Sequence, residues 1–362
     1  MQNPFDAIHR YRNPLPNEDF TRSSAFRIRL CENSASRRAR KIRNSLFVAA
    51  SAVMAEFIKV RFHQFGGDLC VERLEQSGPD ARQILVSVRA ASINPVDFKI
   101  RSGKYPSVKK DRLPYTPGRD VSGVVETCGA QVTRFRPGDA VFGMVPVFGG
   151  GYAERVVLDE RAVADMPVGL DHVQAAAIPL AGQTAYQGLF RRGKLKAGET
   201  VLIHGGSGGV GHFAIQLAKA MGARVLTTVS TEHVDFARSL GADVVIDYKT
   251  QRFEEVAKDV DMVFDLIDGE TRERSWALLR KGGRLVSTLT APSEDRAKAL
   301  GVTAMRYTVE PDGEELAEIG RLADAGKLKP HIQATFPLEQ AAQALATVER
   351  GHTAGKVVLT CG

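Results

Sequence analysis

From residue 201 to 309 the chain alternates short β-branched apolar runs with amphipathic helical stretches. Strands are predicted at Val201–His204, Ala223–Ser230, Val244–Tyr248, Asp261–Ile267, Gly283–Leu289 and Thr303–Val309. Helical patterns lie between them, including one over His212–Met221 and one over His233–Leu240. Six such strands separated by helices predict a doubly wound parallel sheet, whose ligand binds at the carboxyl ends of the strands. From Met54 to about Pro179 the pattern changes to short strands broken by turns: Phe57–Phe62, Gln83–Ala90, Val121–Glu126 and Ala140–Val145, with Arg136-Pro-Gly-Asp139 a turn by composition. A helix over Asp312–Ala325, a strand near His331 and a last strand at Lys356–Thr360 are expected to return to this mostly β part. The expected organisation is a leader (1–53), a first catalytic segment (54–179), an inserted nucleotide-binding domain (180–311) and a returning segment (312–362).

The junction between the first strand of the parallel sheet and its helix reads Val201-Leu-Ile-His-Gly-Gly-Ser-Gly-Gly-Val-Gly211. Gly206, Ser207 and Gly208 predict a tight turn on which a pyrophosphate can approach the backbone, with Gly209 and Val210 completing the loop. Gly211 lets the helix lie close to the strand, and the helix start offers free N–H groups and a positive dipole end to phosphates.

Charge alters the picture only at the N-terminus. The chain carries 49 Lys and Arg against 42 Asp and Glu, but residues 1–53 alone hold ten against four. The rest is nearly neutral, so no nucleic-acid surface is expected on the folded body. Within the leader, the basic run Arg37–Arg43 precedes an apolar stretch Leu46–Val53. That order suits a signal or transit peptide, but it lies too far inside the chain; Met54 as natural start, or a disordered tail, is the favoured reading. No apolar run reaches the ~18 residues of a membrane span. Cys31, Cys70, Cys128 and Cys361 have no paired spacing and read as buried thiols of a reducing, cytoplasmic compartment.

Several stretches together resemble the medium-chain dehydrogenase/reductase superfamily in its zinc-independent quinone oxidoreductase (zeta-crystallin-like) branch. They are Ala91–Gly103, Pro117-Gly-Arg-Asp-Val-Ser-Gly123, Gly149-Gly-Gly-Tyr-Ala-Glu154, Pro179–Tyr186, the glycine loop, Leu240–Tyr248 and Ala354-Gly-Lys356. The resemblance implies a GroES-like, mostly β catalytic domain beside a Rossmann domain, NAD(P)H-dependent reduction of a small molecule, and a homodimer. Zinc members of the superfamily carry a cysteine where this chain has Asn94, and Gly-His-Glu where it has Gly118-Arg119-Asp120. An amide and a guanidinium do not supply a zinc ligand set, so no metal is expected.

Without a Lewis acid the hydride must go to an acceptor that is already electrophilic: a quinone, or alternatively a 2-alkenal or enone. A protein that binds NADPH without turning it over, as a structural or sensor protein, is the rival from another class. By family position Asn94 is the expected catalytic amide donor and Tyr105 the expected hydroxyl donor; the bland alternatives are a turn cap before Pro95 and a half-buried aromatic. Lys99 and Asp97, in the same motif, could as easily be a structural ion pair. The second strand ends in Ser230-Thr231 where NAD enzymes place a carboxylate, and Tyr248 closes the next strand, so NADPH is the expected cofactor. His233 is the only nearby cation legible in the sequence, and Glu232 opposes it. Thr184 and Lys356 are further cofactor contacts implied by the resemblance, against a helix-start hydroxyl and a solvated lysine. His204 and His212 are expected to pack and hydrogen-bond beside the loop. His63, His172, His331 and His352 appear singly, with no His–Ser or His–Cys constellation, and Trp276 reads as core.

Overall fold

A computed structural model describes residues 56–362 apart from Gln76 and His352. The readings of residues 1–53, Cys31 and His352 therefore lie outside the described residues. Fifteen strands are described: β1 (Phe57–Arg61), β2 (Cys70–Leu74), β3 (Gln83–Ser92), β4 (Asp120–Cys128), β5 (Ala140–Met144), β6 (Arg155–Asp159), β7 (Val163–Asp165), β8 (Thr200–His204), β9 (Arg224–Val229), β10 (Val244–Asp247), β11 (Val260–Asp265), β12 (Leu279–Ser287), β13 (Thr303–Arg306), β14 (Ile332–Pro337) and β15 (Lys356–Thr360).

The six strands β8–β13 form one sheet in the order β10-β9-β8-β11-β12-β13, and every pairing in it is parallel. This is the doubly wound arrangement that the alternating pattern predicts, with the order reversing beside β8. Leu202, Leu226, Val263, Trp276 and Leu285 are among the residues of its buried core. Because β8 and β11 are covered on both faces, they read as continuous apolar runs rather than alternating ones.

The second sheet runs β14-β15-β3-β4-β5-β7, with β6 also paired to β3. Here β15 lies antiparallel to β3, so residues 90–92 are flanked by residues 358–360 on one side and by the start of β4 on the other. Three strands are not legible in the sequence pattern. Strand β2 carries no buried face, and β6 and β7 are short pieces separated by a single 3-10 turn at Glu160–Ala162. The helix Pro179–Tyr186 continues directly into a buried π-helical turn, Gln187–Arg192, which brings Gly188 against the Phe264 ring of β11. Among the described residues no helix is long and apolar enough to cross a membrane.

Candidate active site

The glycine loop spans 205–210 between β8 and the helix Gly211–Met221. Two of its glycines are required by the protein's own packing. A Cβ at Gly206 would enter the Thr227 hydroxyl, and one at Gly211 would enter the Gly205 carbonyl oxygen. Gly208 differs, since a Cβ there would meet only the Gly205 oxygen, at 3.4 Å. Nothing in the chain itself demands glycine at 208, which leaves backbone bare where a pyrophosphate would sit. The loop therefore fits a dinucleotide. Gly209 faces the Lys356 side chain (Cβ to Cδ 3.3 Å), and the Ser207 carbonyl accepts from the Gly355 N–H at 2.8 Å. Val210 precedes the helix and takes helical dihedrals.

Lys356 is 3 % exposed, which corrects the solvated-lysine alternative. Its ammonium donates to Asn94 Oδ1 at 2.6 Å and to the Ile93 carbonyl at 3.0 Å, and stands 3.5 Å from the Asp120 carboxylate. Burial lowers its pKa, and Asp120 and Asp97 oppose that shift. Asp120, fully buried, also accepts from Asn94 Nδ2 (2.7 Å), Ser92 Oγ (2.6 Å) and the Leu180 backbone N–H (2.6 Å). One buried network thus ties the ends of β3, β4 and β15 to the start of the helix at Pro179 and to the glycine loop.

Asn94 is the N-cap of the helix Pro95–Arg101, where it forms a capping box with Asp97, and its side chain also joins this network. One amide proton is committed to Asp120; the other makes only a long 3.4 Å contact with the Ser92 carbonyl. Its backbone N–H donates to Asp97 at 2.8 Å. Asp97 also accepts from the Tyr152 hydroxyl (2.8 Å) and the Gly118 N–H (3.2 Å), while Lys99 is exposed. The expected Lys99–Asp97 ion pair is thus replaced by a buried, hydrogen-bonded carboxyl whose pKa burial raises to about 6. Tyr105 is half-buried against the cluster of Phe62, Ile100, Val108 and Tyr115. Nearby, Lys59, Arg112, Tyr115, Thr116 and Phe148 line a cavity of about 210 Å³.

At the carboxyl end of β9 the parallel register of β9 and β10 (Val229 beside Asp247) sets Ser230–His233 next to Tyr248 and Lys249. Ser230 is buried and Tyr248 is 54 % exposed. The Thr231 hydroxyl is committed to Asp247 at 2.7 Å. Lys249 meets Glu232 at 2.9 Å, so a lysine stands at this strand end beside His233. Lys249 directly follows Tyr248 in the chain and comes beside Glu232 through the β9–β10 register. The His233 ring turns inward, its Nε2 buried without a hydrogen-bond partner. Thr184 sits inside its helix and donates back to the Leu180 carbonyl at 2.6 Å, so it is no helix-start hydroxyl.

His204 bonds Thr228 (3.0 Å) and Ser275 (2.8 Å), and His212 bonds the Gly208 carbonyl (3.0 Å), in keeping with packing roles. Burial lowers both pKa values to about 3. His172 is not isolated: its Nδ1 lies 2.8 Å from the fully buried Ser122 hydroxyl, which also donates to the Val141 carbonyl. With the Ser122 hydroxyl fully buried and bonded to Val141, the pair is a packing feature. Cys70 is exposed and Cys128 partly so; of the described cysteines only Cys361 is buried as expected.

Acid should weaken this fold. As pH falls from 7 to 5 the unfolded chain protonates histidines at their ordinary 6.5 while folded His204 and His212 stay neutral, so stability drops. Asp97 acts in the opposite sense, binding its proton first in the folded state, near 6 rather than 3.8. The net expectation is a loss on the order of 2 kcal/mol. Urea unfolding at the two pH values checks it; equal stability would mean that the histidines protonate in place.

Arg119, at the position where the zinc relatives place histidine, spends its Nε on the Val145 carbonyl at 2.6 Å. Among the described residues no group of three or more His, Cys, Asp or Glu side chains is placed to hold a metal.

Two family descriptions match the chain: "Alcohol dehydrogenase GroES-like domain" over residues 80–168 and "Zinc-binding dehydrogenase" over 240–359. A tomato (Solanum lycopersicum) 2-methylene-furan-3-one reductase is 33 % identical, covering 99 % of this chain and 93 % of its own length. A human quinone oxidoreductase is 34 % identical over 83 % of this chain and 96 % of its own. The crystal structure of Escherichia coli quinone oxidoreductase complexed with NADPH superposes with a TM-score of 0.76 at 29 % identity, over 84 % of this chain and 99 % of that one. With the parallel sheet, the glycine loop and the second sheet all in place, the chain belongs to the medium-chain dehydrogenase/reductase superfamily, in its quinone oxidoreductase branch, and is an NAD(P)H-dependent oxidoreductase.

Proposed function

We propose that this protein is an NADPH-dependent reductase that transfers hydride to a quinone without a metal. The carrying observation is the buried Lys356–Asn94–Asp120 network, which ends against the glycine loop and supports a nicotinamide and its acceptor meeting beside Asn94. Bound NADPH supplies the hydride. The loop at Gly206, Ser207, Gly208, Gly209, Val210 and Gly211 holds the pyrophosphate, with Thr184 lining the junction. Ser230, Thr231, His233, Tyr248 and Lys249 surround the adenosine end, where the NADPH preference is decided. On the acceptor side, the Lys356 ammonium bonded to Asn94 Oδ1 polarises the amide and strengthens its N–H groups as donors. The N–H that makes only a long contact with the Ser92 carbonyl is the one left to donate to the acceptor oxygen as charge develops there, and Tyr105 is the second donor.

The division into a catalytic segment (54–179), a Rossmann domain (180–311) and a returning segment (312–362), a homodimer and a cytoplasmic setting belong to the same proposal. Reduction of an enone or 2-alkenal is a second reading, favoured by the tomato furanone reductase that aligns with nearly the whole chain.

The test is NADPH and NADH oxidation by purified protein, with 1,4-naphthoquinone or a 2-alkenal, with and without a strong chelator. Faster turnover with NADPH and naphthoquinone, unchanged by chelation, is expected. Turnover of the alkenal alone would move the assignment to the second reading. A preference for NADH would remove the cofactor assignment, and loss on chelation the metal-free one.

A further inference from the structure

The donors at the end of β9 are already engaged by an anion of the chain itself. The Glu232 carboxylate binds the Lys249 ammonium at 2.9 Å and also takes the Ser230 hydroxyl and its own backbone N–H. A side-chain hydroxyl, a backbone N–H and an ammonium converging on one group of oxygens are what recognises a phosphate monoester. In a Rossmann sheet the end of the second strand is where the 2′ position of the adenosine ribose arrives. Glu232 and Lys249 are both exposed, so either can swing away without disturbing the core. The other anion nearby, Asp247, is held by Thr231 and by the Lys249 backbone N–H at 3.0 Å.

We propose that Glu232 is a resident occupant of the 2′-phosphate subsite, so that a 2′-phosphorylated dinucleotide must displace its carboxylate from Lys249 and Ser230 to bind. The inference rests on the proposed NADPH-dependent function and adds its specificity device. NADPH exchanges one anion for another at the same donors and gains less than the open site would give. NADH brings no phosphate and leaves Glu232 in place, free to accept from the ribose 2′-hydroxyl. Cofactor choice is therefore set by the strength of the Glu232–Lys249 contact.

The test is titration of NADPH and of NADH against the full chain by calorimetry, for the wild type, Glu232→Gln and Lys249→Met. Removing the resident charge should tighten NADPH about five- to tenfold and leave NADH no tighter. Lys249→Met should weaken NADPH about tenfold and change NADH less than about twofold. An NADPH-to-NADH affinity ratio that Glu232→Gln leaves unchanged would overturn the inference while leaving the NADPH reading intact. Failure of the wild type to bind either dinucleotide would overturn the reading itself.

Discussion

A methyl group added at Gly211 is expected to cost the fold about 2–4 kcal/mol, whereas the same change at Gly208 should leave stability within about 0.5 kcal/mol. The difference lies in what each Cβ meets. At 211 it enters the Gly205 carbonyl oxygen and comes within 2.8 Å of the Gly206 Cα, backbone atoms held between β8 and the helix that cannot yield independently. At 208 the nearest atom is at ordinary contact distance. If the bare backbone at 208 is there for a pyrophosphate, Gly208→Ala should still weaken dinucleotide binding about tenfold or more, because the methyl occupies the approach to the loop. Thermal unfolding combined with NADPH titration separates the two effects. A Gly208→Ala protein that binds as tightly as wild type would show that the cofactor does not lie on this loop.

Lys356→Met is expected to be comparably severe, for an electrostatic reason. It strips the buried Asp120 carboxylate of its cation and leaves Asn94 Oδ1 without a donor, a loss of about 3–5 kcal/mol by analogy with other buried pairs broken on one side. Asp120→Asn in the same chain removes the orphaned charge, so the double variant should regain much of the stability. Turnover should not return with it, because Asn94 still lacks the ammonium that orients and polarises its amide. The expected signature is a kcat reduced about tenfold to a hundredfold in both variants. A double variant that recovers turnover along with stability would reduce Lys356 to a structural role.

The parallel sheet was legible because its strands are covered on both faces, so burial writes itself into the sequence as continuous apolar runs. The glycine loop was legible because close backbone approach excludes side chains. What escaped were juxtapositions created by register. Lys249 reaches Glu232 only because β10 lies in parallel register beside β9, and Ser122 reaches His172 across fifty positions of chain. The burial of Lys356 was not legible for a different reason: a lysine reads as solvated unless its counter-ion is known, and Asp120 comes from a strand far away in sequence. The Asp97–Lys99 pairing was inferred from proximity along the chain, but on a helix residues two apart point away from one another, and Asp97 turned inward to Tyr152.

The antiparallel pairing of β15 with β3 joins Ser92 to Val358 across the whole nucleotide-binding segment, so the loop it closes is among the longest in the fold. The parallel sheet, by contrast, is assembled from strands that follow one another closely in sequence. Closure of a long loop gives no favourable contacts until its ends meet, and topologies dominated by such contacts fold slowly. The glycine-loop unit is therefore expected to take shape ahead of the β3–β15 seam, whose closure sets Lys356 beside Asn94 and Asp120. The buried Lys356–Asn94–Asp120 network is thus expected to be completed only when this long-range seam closes.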